Sequence, residues 1–279
     1  MNKILITILA ALSMVFIFLM LVIALMPEDF IEGALRSRME KDTSLSFTSD
    51  GFGKKLPFGI EASGVRIISP GAHSELIYFD RLDVSLNPIY LFIGRLRFNV
   101  KGVIGGGEVR SAITLRRGAV DVDTNVRNVS VASIPALRAV GLEGSGTISG
   151  NSDIIVNGKN GCPDGSLNLE GAGVDLKGVN AAGLNFLLKD KADITLVLYS
   201  RGCKATIKNL WVDGKTVKLK AYGDVIPGNI LSKSRIDLTL EVLPRDNEGI
   251  LALFSRYRKT SRFYSMRLRG ELASPSVTP

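Results

Sequence analysis

From Ile4 to Met26 the chain carries no charged side chain, and no second run like it follows. At 1.5 Å of rise per residue a helix of that length crosses a hydrocarbon core of about 30 Å once. The remainder alternates apolar and polar residues, so the chain reads as one membrane pin carrying one large extramembrane domain. Lys3 precedes the run, and Pro27, Glu28 and Asp29 follow it. Positive charge favours the cytoplasmic side, which places the domain outside the cytoplasm. A cleaved signal peptide is the alternative, but its apolar core is shorter and ends in a small-residue site, where this chain has Ala24-Leu25-Met26. The expected division is a transmembrane anchor over 1–26, a juxtamembrane helix over 27–41 and a β-rich domain over 42–279.

The period of the domain sets its class. Residues 28–41 are compatible with a helix, with Phe30, Ile31, Ala34 and Leu35 as an apolar stripe. From about Leu45 the period is two. Leu82, Val84 and Leu86 alternate with Arg81, Asp83 and Ser85, and Val217, Leu219 and Ala221 with Lys218 and Lys220. Further on, Ile236, Leu238, Leu240 and Val242 alternate with Asp237, Thr239 and Glu241, and Tyr264, Met266 and Leu268 with Ser265, Arg267 and Arg269. Such strands bury one face and wet the other.

Looser runs at 96–103, 109–115, 120–126, 167–176 and 194–199 are separated by Gly105-Gly106-Gly107, Asn157-Gly158 and Asp213-Gly214. Asn-Gly and Asp-Gly favour two-residue hairpins, so the topology reads as an antiparallel meander. Helical signals are sparse: 87–92, 133–140, and 247–257 with Asn247 as N-cap. The fold class is therefore mainly β, with few short helices. Either two sheets pack face to face, or one curved sheet folds around an apolar groove, for which Ile236, Leu238, Leu240, Met266 and Leu268 are the candidate lining.

Chemistry-bearing residues are few. Cys162 and Cys203 each adjoin a glycine at an apparent strand end, which in an oxidising compartment favours a disulfide; two buried spectator thiols are the alternative. The single histidine, His73, sits in a turn, too isolated for a metal cluster or a triad. Gly144, Gly146 and Gly150 lead into a strand rather than a helix, so bulges or tight hairpins explain them better than a phosphate loop. No convergent nucleophile, base and orienting group is visible, and the expectation is a protein without catalytic residues, cofactor or metal.

The formal net charge of +8 suggests an anionic contact, and export of the domain argues against nucleic acid. Between Arg256 and Arg269 lie Arg256, Arg258, Lys259, Arg262, Arg267 and Arg269 with no acid among them, interleaved with Tyr257, Phe263 and Tyr264. That segment suits a lipid head-group or protein contact, or a solvated face.

The unit from Leu82 to Val103, a strand, the turn Leu86-Asn87-Pro88-Ile89-Tyr90-Leu91-Phe92-Ile93-Gly94 and a second strand, resembles the strand, short helix and strand of AsmA-like periplasmic proteins. The segments 144–150 and 234–240, with the ending Met266-Arg267-Leu268-Arg269-Gly270-Glu271-Leu272-Ala273-Ser274-Pro275, resemble the type II secretion system protein N family. The resemblance implies a bacterial inner-membrane, periplasm-facing accessory of the type II secretion apparatus, with other secretion subunits as partners and no enzymatic activity. The AsmA-like features imply the alternative, a protein that binds or transfers phospholipid in an apolar groove.

Overall fold

A strand exposes hydrogen-bonding groups on both edges, and in the computed structural model nearly every strand satisfies them by turning back on its predecessor. The structure describes residues 25–43, 45–55, 57–69, 74–135, 143–157, 162–177, 179–181, 184–186, 191–215, 217–228, 233–245, 257–260, 263–271 and 274–278. A helix, α1 (Glu28–Thr43), leads into β1 (Ser46–Thr48), β2 (Gly51–Lys55), β3 (Gly59–Ser69) and β4 (Ser74–Leu86). A six-residue 3-10 helix, Pro88–Ile93, carries the chain to β5 (Leu96–Ile104), β6 (Gly107–Arg116), β7 (Ala119–Ser130), β8 (Glu143–Asn157) and β9 (Pro163–Lys177). A separate small hairpin, β10 (Val179–Ala181) and β11 (Leu184–Phe186), precedes β12 (Ala192–Arg201), β13 (Lys204–Asp213), β14 (Val217–Ile226) and β15 (Arg235–Pro244). The chain ends in β16 (Arg258–Thr260), β17 (Phe263–Glu271) and β18 (Ser274–Thr278).

Apart from that hairpin, all the strands belong to one 16-stranded antiparallel sheet. Two face-to-face sheets, one of the two arrangements left open by the periodicity, are not what forms. The path runs β3-β4-β5-β6-β7-β8-β9-β12-β13-β14-β15-β17, with β1 and β2 both on β3 and β16 and β18 both on β17. At about 4.8 Å between strands, β3 to β17 spans about 50 Å. Both ends of the sheet are thus finished by short strands, one containing Pro275, which blunts them against edge-to-edge pairing.

Register decides the faces. One unbroken row of cross-strand partners reads Ala62, Leu82, Gly102, Val109, Val126, Gly150, Leu169, Leu196, Leu210, Ala221, Leu240 and Met266. Two rows further toward the strand ends the same face carries Leu86, Phe98, Ile113, Val122 and Ile154, and the row between holds Val84, Val100, Ser111, Thr124, Ser152 and Leu167. The opposite face carries Glu61, Asp83, Lys101, Arg110, Asn125, Asn151 and Asn168 in one row. Because partners share a face, the alternation in each strand adds up to one apolar and one polar surface across the whole sheet.

The apolar face is covered at its two ends. At the first, Phe47, Ala62 and Val65 are buried, with Met39 of α1, Phe52, Phe79 and Leu82 packed on them. Of the apolar stripe read on this helix, Phe30 and Leu35 stay 64% and 43% exposed, and the contact with the sheet is made by Met39. At the second end Val212, Val217, Ala221, Ile236, Leu240, Val242, Tyr264, Met266 and Leu268 form the largest buried cluster, with Tyr257 against it. Full burial of such a side chain contributes about 1.5–3 kcal/mol.

Irregularities bend the strands between these ends. Register shifts occur in β7–β8 between Val126 and Val129, in β8–β9 between Ser145 and Thr147, and in β12–β13 between Val197 and Leu198. The middle one surrounds Gly146, whose φ of +106° needs a residue without a Cβ, so this glycine segment is a β-bulge. Of the helices read from sequence, 87–92 forms as the 3-10 helix Pro88–Ile93. The stretch 133–140 is described only as far as Pro135, which is helical and follows a 3-10 turn over Val131–Ser133, and 246–256 lies outside the described residues. Among the described residues no helix is long and apolar enough to cross a membrane, and residues 4–24 of the apolar run are not among them.

Candidate functional site: an uncovered apolar face

Between the two buried clusters, from β5 to β12, the apolar face is buried along one long edge, at Ile104, Val129, Val131 and Val174, and only half-buried among the described residues over the rest of its width. Val100, Val109, Ile113, Val122, Val126, Ile154, Leu167 and Leu196 are all half-buried, whereas on β14, β15 and β17 Ala221, Ile236, Leu240, Val242, Tyr264, Met266 and Leu268 are buried, with Leu219, Val225 and Leu238 half-buried beside them. At about 4.8 Å per strand the uncovered stretch is about 24 Å long, and the four inward residues of β7, Val120, Val122, Thr124 and Val126, make it about 20 Å wide at 3.4 Å per residue. A contiguous apolar surface of that size on a protein marks a binding surface.

One row of this stretch is polar: Ser111, Thr124 and Ser152 lie opposite one another on β6, β7 and β8. Ser111 Oγ and Thr124 Oγ1 are 2.8 Å apart in a mutual hydrogen bond. Their polarity is thereby spent on each other, and the row stays compatible with an apolar occupant.

The charges sit on the other face as exposed ion pairs. Arg81 reaches Glu61 (3.1 Å), Lys55 reaches Asp83 (3.2 Å), Arg110 reaches Glu108 (2.7 Å), and Lys218 and Arg245 both hold Asp213 (3.0 and 2.9 Å). Arg116 is paired with Asp121. Exposed pairs of this kind are each worth about 0–1 kcal/mol. The carboxyls respond accordingly. Asp237 is pulled down to about 2 by its hydrogen bonds to Arg267 and then Arg269, Asp213 is lowered chiefly by Lys218, and Asp224 is lowered by Lys204 and Thr206. Tyr222 is raised because it donates to Glu241 at 3.1 Å. These shifted groups belong to ion pairs and hydrogen bonds spread along the polar face, and no group of histidine, cysteine, aspartate and glutamate among the described residues is arranged to hold a metal.

Cys162 and Cys203 are joined in a disulfide with Cα atoms 4.8 Å apart. They tie the β8–β9 connection to the β12–β13 turn along one long edge of the sheet. The basic segment is divided by the sheet's pleat. Arg267 and Arg269 point to the polar face, where Asp237 of β15 receives both, at 2.6 and 3.2 Å. Arg258 and Lys259 are exposed in β16, Arg256 and Arg262 lie outside the described residues, and Tyr264 is buried at 2% exposure rather than offered to a partner. His73 also lies outside the described residues.

The five residues read as groove lining do share one face and one neighbourhood. Leu238 is packed against a cluster that contains Ile236, Leu240, Met266 and Leu268, so they form its covered end. The uncovered stretch falls on strands whose sequence showed only that one side is apolar. Compared with family models, curated proteins and solved structures, the chain matches none.

Proposed function

We propose that this protein is a membrane-anchored, non-enzymatic carrier whose apolar face is a groove for the acyl chains of phospholipid. The observation that carries the reading is the broad, mainly apolar face between β5 and β12 that is only half-buried among the described residues. Water against such a surface is costly, at about 25 cal/mol per Å², and an acyl chain removes it without needing a hydrogen-bonding partner. The uncovered length of about 24 Å exceeds the depth of one leaflet, about 15 Å, so a chain can lie along it in full. The apolar run over 4–26 would hold the domain at the bacterial inner membrane, on its periplasmic side. Met26, at the end of that run, is tied to the first end of the sheet: Lys54 Nζ donates to its carbonyl at 2.9 Å. A role as accessory to a type II secretion apparatus, which the sequence resemblance implies, is compatible with this reading, since the ion-paired face is free to meet protein partners while the other holds lipid.

The test uses a photo-activatable phenylalanine analogue at two adjacent positions, Val122 on the apolar face and Asp123 on the polar face. Irradiation in cells followed by mass spectrometry should give a phospholipid adduct from position 122 and none from 123. Adducts from neither position, or equally from both, would overturn the reading.

A further inference from the structure

The connection between β4 and β5 departs from the rest of the sheet. It is a built element: Asn87 Oδ1 accepts the Ile89 N–H (3.2 Å), Pro88 opens the turn, and Gly94, at φ +69°, closes it by donating to Leu91 O (3.0 Å). Tyr90 is held back toward β5, its hydroxyl accepting from Arg97 Nη1 at 2.7 Å with the guanidinium carbon 4.9 Å from its ring. What it presents outward is Ile89, Leu91, Phe92 and Ile93, exposed by 71, 47, 80 and 61%. A soluble loop of this rigidity has no reason to display four large apolar side chains together.

Two further facts indicate what receives them. No acidic residue occurs between Asp83 and Glu108, while Arg95, Arg97 and Lys101 do, and Arg95 is exposed directly after the knob. The knob also lies on the same long edge as the exit of the apolar run. Lys54, which holds the Met26 carbonyl, pairs with Ile60, which pairs with Val84, two residues before β4 ends. Two strand spacings, about 10 Å, separate the two features in the sheet. Leu25 and Phe30, 79% and 64% exposed, flank that exit.

We propose that the Ile89–Ile93 knob inserts into the head-group and upper acyl region of the bilayer that anchors the chain, with Arg95 at the lipid phosphates. An apolar cluster rimmed by cations is the composition that lies in a membrane interface. Such a second contact point fixes the tilt of the domain, which a single span leaves free, and sets the first end of the sheet against the lipid surface. The inference rests on residues 4–26 being a span, and not on what the apolar face carries.

The experiment reconstitutes the full chain in vesicles of phosphatidylethanolamine and phosphatidylglycerol. With Trp211→Phe as background, Phe92→Trp is compared with Ile226→Trp, a site 49% exposed on the same edge but near the far end of the sheet. Brominated acyl chains should quench Trp emission at 92 strongly and at 226 weakly. If the chain floats with the vesicles yet position 92 is unquenched, or both sites respond equally, the knob does not insert although the anchor stands. If the chain does not float, both ideas fail. Should Trp211→Phe melt early, a nitroxide on Phe92→Cys reads the same depth, as preferential access to oxygen over aqueous nickel; equal access overturns the proposal.

Discussion

An uncovered face and a covered one respond oppositely to charge, and the register supplies a matched pair of sites to show it. Val122 and Ile154 are direct cross-strand partners in the uncovered stretch, and Leu240 and Met266 are direct partners at the covered end. Consider Val122→Lys with Ile154→Asp. Each substitution gives up about 1 kcal/mol of strand preference, and the opposed charges return about 0.2–1 kcal/mol, with both groups still hydrated. The net cost is about 1–2 kcal/mol, a fall in Tm of about 2–8 °C for a domain of this size. Leu240→Lys with Met266→Asp places the same pair where the side chains are 9% and 1% exposed. Desolvation costs several kcal/mol per ion, and each lost apolar side chain about 2–5 more. Together these match a total stability of about 5–15 kcal/mol, so no native transition should remain. Lipid occupancy separates the readings. If about two methylenes lie on each side chain, the open pair loses about 3 kcal/mol of acyl contact at about 0.8 kcal/mol per methylene, or about a hundredfold in affinity. Thermal melting and quantification of co-purified phospholipid by mass spectrometry read both effects. A Val122/Ile154 variant that unfolds like its counterpart would show that the stretch is covered after all, and one that folds and keeps its full lipid would remove the groove.

Other expectations follow from single features. Replacing Cys162 and Cys203 by serine opens a link across a sequence separation of 41, worth about 4 kcal/mol in the chain-entropy model; calorimetry should show Tm lower by about 8–16 °C, and an unchanged Tm would mean the bridge constrains nothing. Asp237 is held at about 2 by Arg267, below its ordinary value, so its contribution is complete above about pH 4 and is lost as pH falls toward 2. Asp237→Asn should flatten the stability curve in that window, an effect that 1 M salt reduces, and an unaltered acid limb would refute the assignment. Gly223 holds φ +141° with the Asp237 carbonyl where a Cβ would stand, so Gly223→Ala should cost about 1–3 kcal/mol in urea unfolding, and a neutral result would mean the strand relaxes there.

Much of the meander was legible because its strands have one wet face. Val217–Ala221, Ile236–Val242 and Tyr264–Leu268 alternate in sequence and lie within β14, β15 and β17. Turn chemistry was less transparent. Asp213-Gly214 does not make a two-residue hairpin, since Gly214 donates to Val217 O and three residues separate the strands. The two-residue turn at Gly202-Cys203 forms with φ +57° and +64°, and a cysteine gives no hint of that conformation. Among the described cations of the basic run, Arg267 and Arg269 show why neighbours in sequence need not make one patch. In a strand successive residues part company, and the one acid that Arg267 and Arg269 share, Asp237, arrives from β15, about thirty residues earlier in the chain.

Whether the apolar face is open was the hardest thing to read, because Val122 and Ile154 belong to the same residue class and the same alternation as Leu240 and Val242. What covers a face is decided by segments far away in sequence, and periodicity is blind to them. One signal did separate the two regions. The inward positions of β6, β7 and β8 include Ser111, Thr124 and Ser152, whereas those of β15 and β17 run Ile236, Leu238, Leu240, Val242 and Tyr264, Met266, Leu268 without a small hydroxyl. A sealed apolar core rejects hydroxyls aligned across three neighbouring strands, since a buried one without a partner costs about 1–3 kcal/mol. An open surface tolerates them because water can reach them, and Ser111 and Thr124 also hydrogen-bond each other. Small hydroxyls at inward positions are thus the trace expected of an open face, and in this chain they fall on strands whose central inward residues are half-buried among the described residues.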